Sequence, residues 1–360
     1  LLTHPIKESE ADLELWTFVY SNHQTYREAA PEFTKKHGAT VEIQNIAYPA
    51  LQDRLRSAFW ADLDVPDVVE LEISGAGSFF RGDPKEIGFR DLTPYLERDN
   101  LFDRLVTSRL AAYQHRGKQY GLPLDIHPVM IAYRRDLFEE AGIEPEELDT
   151  WDKFIEAGRR VTKEGEQYMI QLADSNHEQF EVLLFQRGGG YFNPAGDLVM
   201  DDEVVLETLL WYIPLVAGER RIGNDLGSDQ VFTQALEEGY FYCLLAPDWL
   251  AQHISFIVPG VEGEMALMPL PAFEPGGRRT STMGGTMIGI TKACENPDRA
   301  WELVKFLTLD PDRLERRYEE TGVVPPLKDA WDQAAFHEPS EYWSGQPIGA
   351  LYAGLAEQVP

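Results

Sequence analysis

Apolar positions in the first fifth of the chain switch between two spacings. Leu13 and Leu15 flank Glu14, and the run then turns apolar through Trp16, Phe18 and Val19, as a half-buried strand does on entering a core. Residues 40–44 alternate again, and Pro66-Asp67-Val68-Val69-Glu70-Leu71 reads as a buried strand. Between these strands, the segment ending at Gly38 and the one carrying Leu51, Leu55 and Phe59 keep helical spacing. Pro31 either kinks the first of those helices or begins it. Strands alternating with helices predict a parallel sheet, and ligands of such sheets gather beyond the carboxyl ends of the strands. That rule places Ser21, Asn22 and His23 at one strand end and Glu72 with Ser74 at another.

A second informative run lies at residues 240–246, apolar and bounded by Gly239 and Pro247. It predicts a buried strand that stops in a turn and delivers Asp248 and Trp249 to an edge. An indole beside a carboxylate suits a sugar, because the ring packs on pyranose C–H groups while the carboxylate accepts hydroxyl hydrogen bonds. Trp249 as plain core is the competing reading. Trp16 and Trp211 offer two more aromatic faces, but one alternates within a strand and the other sits on a Leu-rich helix, so both read as core. Thr150 is placed to cap a helix opening at Trp151. Gly188-Gly189-Gly190 reads as a helix stop, since no Lys-Ser/Thr follows to make a phosphate loop. Asn296-Pro297 opens a helix with Ala300, Leu303, Val304 and Leu307 on one face.

Composition narrows the function classes. At 360 residues, two lobes are expected instead of one core. The 61 acidic residues against 32 basic ones give a net charge of −29, which argues against nucleic acid and anionic membrane surfaces as partners. So many carboxylates make chance acidic pairs common, and pairs such as Glu70/Glu72 are no sign of glycoside hydrolysis. Neither a G-x-S-x-G nor an H-E-x-x-H motif occurs, so no catalytic or metal-ligating residue is assigned. Cys243 and Cys294 are too few for a structural metal site and read as two buried thiols, a single disulfide being the alternative. No apolar run approaches the roughly 18 residues of a membrane span, and residues 1–5 carry no leader pattern.

Several segments, taken in order, resemble the family-1 extracellular solute-binding proteins of ABC importers, the class that includes maltose-binding protein. They are Gly121-Leu122-Pro123, the stretch Tyr133-Arg134-Arg135-Asp136-Leu137-Phe138 ending in Ala141-Gly142, Thr150-Trp151, the Gly239-to-Trp249 run, Met268-Pro269-Leu270-Pro271, Gly284-Gly285 and Thr321-Gly322-Val323-Val324-Pro325. Arg134-Arg135 replaces the family's usual Asn-Lys. The resemblance spans about residues 13–330 and implies an α/β, two-lobed periplasmic-binding-protein fold with discontinuous lobes joined by a three-segment hinge. It implies an N-lobe of 1–124 plus 273–322 and a C-lobe of 125–272 plus 323–360, crossing near 124–127, 270–273 and 323–326.

The function so implied is capture of a carbohydrate, an oligosaccharide in the first instance, outside the cytoplasm and its delivery to an ABC permease by cleft closure. It implies a monomer with no cofactor. The alternatives are a non-sugar solute such as a glycerophosphodiester or polyamine and, from another class, a carbohydrate-active enzyme. Candidate ligand-binding residues are Asn22, His23, Glu72, Asp125, Asp248 and Trp249, with Gly284 and Gly285 letting backbone N–H groups approach a ligand. Arg278 and Arg279 read as solvated loop residues. Tyr342 and Trp343 read as exposed aromatics of a further binding surface, and the tail from Trp331 onward matches the family poorly.

Overall fold

The computed structural model describes residues 10–61, 65–193, 197–227 and 230–360. The leader reading, which rests on residues 1–5, lies outside them. In chain order the strands are β1 (Leu13–Thr17), β2 (Val41–Asn45), β3 (Val68–Glu72), β4 (Gln114–His115), β5 (Lys118–Gln119), β6 (Leu122–Pro123), β7 (Val129–Arg134), β8 (Tyr168–Gln171), β9 (Gly223–Asn224), β10 (Phe241–Pro247), β11 (Met265–Pro269) and β12 (Thr286–Ile290). The chain divides into two compact units. The first holds residues up to Asp125 with Gly284–Arg317 and Pro325–Ala330; the second holds Ile126–Met283, Tyr318–Val324 and Trp331–Pro360. Asp125 and residues 325–330, expected with the second lobe, belong to the first unit, and residues 318–322, expected with the first lobe, belong to the second, as do residues 273–283. For 273–283 the reason is local: Leu270 N–H donates to Arg279, Ala272 N–H to Asp149 and Val129 N–H to Ser281.

Unit 1 is built on a five-stranded sheet of order β2-β1-β3-β12-β6. The β2-β1-β3 portion is parallel as expected, but β12 runs antiparallel to both of its neighbours, so the sheet is mixed. Side chains alternate across it with the period of two that a pleat imposes. Leu13, Leu15, Val68, Ile288 and Ile290 face one core with Tyr26, Phe33 and Trp301. Trp16, Val69, Leu71 and Met287 face the other with Leu51, Leu55 and Phe89. The first core is covered by helix α1 (Tyr20–His37), which runs unbroken through Pro31 and stops at Gly38 in the left-handed conformation. Helix α2 (Tyr48–Ala61) supplies Leu51 and Leu55 to the second core.

Unit 2 carries the sheet β11-β7-β10-β8-β9, again mixed, with β7 antiparallel to β10 and β11 while β8 and β9 run parallel with β10. The chain from residue 331 onward, which resembles the family poorly, packs into this unit. The Gln346 side chain donates to Leu267 O at 3.0 Å and accepts from Leu267 N at 2.7 Å, which covers the edge of β11. Tyr342 and Trp343 are not a surface: they are 7% and 0% exposed, and Tyr342 donates to Val258 O. Arg278 and Arg279 are likewise not solvated loops, because both are half-buried and donate to the carbonyls of Phe185 and Leu270.

Candidate functional site

In unit 1 the candidate residues converge at one end of the sheet's interior strands. β1 and β3 are parallel neighbours, so residues following Thr17 and those following Leu71 emerge at the same end. β12 is antiparallel to β3 with Thr286 opposite Glu72, which brings the Gly284-Gly285 loop to that end too. The rule for parallel strands thus collects Tyr20, His23, Glu72 and the two glycines within one unit.

The side chains divide into those locked inside and those presented outward. Asn22 is buried and donates from Nδ2 to the carboxylate of Glu70, 3.1 and 3.3 Å from its two oxygens. The same carboxylate accepts from Tyr26 Oη at 2.6 Å and from Thr17 Oγ1. Glu70 is fully buried, and desolvation pushes its carboxyl above the ordinary range even though the three donors and Arg317 favour the charged form. His23 is half-buried in the first turn of α1. Glu72 is half-buried too, and its carboxylate accepts from Ser74 N at 3.0 Å, capping the turn that follows β3.

Asp125 is buried, and both of its oxygens stand 3.0 Å from Thr286 N, which donates to them. Beside it lies Arg109, also buried, with Nη2 3.8 Å from the carboxylate and donating to Gly284 O at 3.1 Å. Ile73 N–H donates to Gly285 O at 2.8 Å. Gly285 has φ of +151°, and a Cβ there would collide with the Arg109 guanidinium. The glycine loop is therefore pinned on three sides, with Gly284 exposed and Gly285 buried.

In unit 2, β10 ends at Pro247 and the helix Asp248–Ile257 starts at once. Asp248 is 1% exposed and accepts three hydrogen bonds, from His127 Nδ1 at 2.7 Å, Val324 N at 2.7 Å and Trp249 N at 2.8 Å. His127 takes φ of +54°, a left-handed conformation uncommon outside glycine. Trp249 is 37% exposed, and its Nε1 donates to Met283 O at 3.3 Å. The polar edge of the indole is thus fixed while about a third of the residue stays open to solvent. Trp16, by contrast, is core, with the Arg54 guanidinium 4.6 Å over its ring.

Glu70, Arg109, His127 and Tyr20 carry little or no local sequence signal for their places here. Glu70 left one signal, a lone carboxylate within an apolar run. Arg109 left none, since its partners lie 16 and 175 residues away. Among the described residues, no cluster of three His, Cys, Asp or Glu side chains is arranged to hold a metal, and no helix is long and apolar enough to cross a membrane. A surface cavity of about 460 Å³ in unit 1, lined by Lys36, Arg104, Lys305 and Phe306 among others, is a different place. It sits at the carboxyl end of α1, and two of its cations are paired, Arg104 with Asp329 and Lys305 with Asp99 and Glu302.

The sequence profile described as bacterial extracellular solute-binding protein matches residues 21–313. The chain belongs to that family. Among curated relatives, an arabinooligosaccharide-binding protein of Bacillus subtilis is 27% identical over 93% of this chain and 78% of its own. A lactose-binding protein of Rhizobium radiobacter is 27% identical over 93% and 79%. Among solved structures, the sugar-binding protein MalE from Xanthomonas citri superposes with a TM-score of 0.79 at 20% identity, covering 96% of this chain and 85% of that one. The fold is thus that of the MalE-like periplasmic-binding proteins.

Proposed function

We propose that this chain is the carbohydrate-binding component of an ABC importer, taking an oligosaccharide outside the cytoplasm and passing it to a membrane permease without chemically altering it. The observation that carries the reading is Trp249, a partly exposed indole fixed at the carboxyl end of β10 next to a fully buried carboxylate. Such a face meets the C–H side of a sugar ring. The relatives named for arabinooligosaccharide and lactose binding favour an oligosaccharide over a glycerophosphodiester or polyamine. Asn22, Asp125 and Asp248 work here as scaffold for the site, because their polar atoms already have buried partners. Direct contacts fall to Trp249, Glu72, His23 and the Gly284-Gly285 loop. The protein acts as a monomer with neither cofactor nor nucleic-acid partner.

A thermal-shift series with arabinotriose, lactose, maltotetraose, spermidine and glycerophosphocholine tests this. Saturation by a sugar at 100 times Kd stabilises by about 2.7 kcal/mol, a clear rise in Tm. A rise with spermidine or glycerophosphocholine and none with the sugars would overturn the reading. Recovery of the bound sugar unchanged after long incubation separates binding from turnover.

A further inference from the structure

We propose that Tyr20 is an aromatic contact for the bound sugar on unit 1 and that Glu70 is the residue that positions it. The proposal rests on the carbohydrate-binding reading above.

The first turns of α1 have two faces. Asn22 and Tyr26 are four residues apart, so they lie on one face, and both donate to the Glu70 carboxylate beneath. Tyr20, His23 and Gln24, spaced three and four residues apart, occupy a different face. Two helix side chains tied to one buried carboxylate fix the rotation of the helix about its axis. Thr17 ties the end of β1 to the same group, fixing the start of the helix against the sheet.

That rotation leaves Tyr20 outward and 67% exposed, at the end of the strands where Glu72 also emerges. Its ring is held in place: Gln24 Nε2 donates to the phenol oxygen at 2.7 Å, and the His23 ring lies 6.5 Å away. The phenol keeps its own O–H to donate to a sugar hydroxyl, and the ring keeps a face for C–H packing. Tyr20 and Trp249 are each exposed aromatics whose polar group is tied, one to Gln24 and the other to Met283 O. The groups that face Glu70 are Thr17 from β1, Asn22 and Tyr26 from α1, and the Arg317 guanidinium from the helix Pro311–Thr321. Replacing the carboxylate by an amide sets an NH₂ group against these donors and loosens the helix start.

Calorimetric titration with arabinotriose, lactose and maltotetraose provides the test, run on wild type, Tyr20→Ala, Tyr20→Phe, Glu70→Gln, the Tyr20→Ala/Glu70→Gln double variant and Trp249→Ala. For the sugar that wild type binds best, Tyr20→Ala should weaken affinity about tenfold and Tyr20→Phe by about threefold or less. Glu70→Gln should weaken it in the same sense, with the double variant no weaker than Tyr20→Ala alone, since both losses run through one ring. A merely structural Glu70 gives a lower Tm with unchanged affinity, or losses that add in the double variant, and either outcome overturns its positioning role. Should Glu70→Gln fail to fold, Asn22→Ala cuts the same tie while leaving the carboxylate three of its four neighbours, and it must show the same non-additivity. Unchanged affinity in Tyr20→Ala together with a weakened Trp249→Ala overturns this proposal alone. Wild type that binds none of the three sugars overturns the carbohydrate reading, and this proposal with it.

Discussion

His127 Nδ1 stands 2.7 Å from Asp248 Oδ1 with both residues buried, so the carboxylate fixes Nδ1 as the protonated nitrogen and holds the ring. The same carboxylate receives the backbone N–H groups of Trp249 and Val324. One aspartate therefore sets the backbone that carries the indole and restrains a histidine in a left-handed conformation. Asp248→Ala would leave two buried donors and the part-buried Trp249 N–H without their acceptor, at roughly 3 kcal/mol or more. His127→Asn, which tolerates the left-handed backbone and keeps an amide donor, should cost about 2 kcal/mol less than His127→Val. Urea unfolding of the three variants checks both the size and the order.

The Gly284-Gly285 loop predicts a second cost. Gly285→Ala forces a Cβ against the Arg109 guanidinium at a φ only glycine adopts readily, so it should destabilise by about 1–3 kcal/mol and weaken ligand binding with it. Arg109→Ala added to that variant removes the collision. If the double variant is no more stable than expected from the sum of the singles, steric conflict with Arg109 is not the cause.

Glu70 makes stability depend on pH with a definite sign. Burial raises its folded pKa above the ordinary carboxyl value of 4.5, so the folded state holds the proton more tightly than the unfolded chain. The contribution is fully present below about 4.5 and is lost as pH rises through the raised folded value. Glu70→Gln removes this dependence. The Tm difference between wild type and variant should therefore shift against wild type as pH climbs through that window, and a constant difference would contradict the assignment.

Both cysteines are free and buried, Cys243 in unit 2 and Cys294 in unit 1. Burial pushes the Cys243 thiol far up and takes Cys294 to about 12. Neither should react with a thiol reagent at pH 8 in the native protein, and two should react per denatured chain. Absence of reaction after denaturation would mean a disulfide.

Much of this architecture is legible in the sequence because it is local. The alternation around Leu13 and Leu15, the helix stop at Gly38 and the cap at Asn296 act within a few residues, and the elements they predict are present. What was lost is long-range. That β12 enters the first sheet antiparallel depends on pairing across more than 200 residues. Tyr342 and Trp343 look exposed because nothing in their neighbourhood says that β11 needs an edge cover. For the candidate site, strand-end logic located Glu72 and Trp249. It could not tell Asn22 and Asp248, which face inward, from Tyr20, which faces out, because that distinction is set by the partners Glu70 and His127.

Calorimetric titration of wild type and Trp249→Ala with arabinotriose, lactose and maltotetraose reads out whether the chain binds an oligosaccharide through the Trp249 face. Covering an indole face removes on the order of 100 Å² from water, worth a few kcal/mol at about 25 cal/mol per Å². Trp249→Ala should therefore weaken the best-bound sugar at least tenfold, about 1.4 kcal/mol, with little change in the unliganded Tm because the ring is only partly buried. Intact affinity with a large loss of stability would mean that Trp249 is core and not a ligand contact, and no sugar bound by wild type would mean that the ligand is not an oligosaccharide of these kinds.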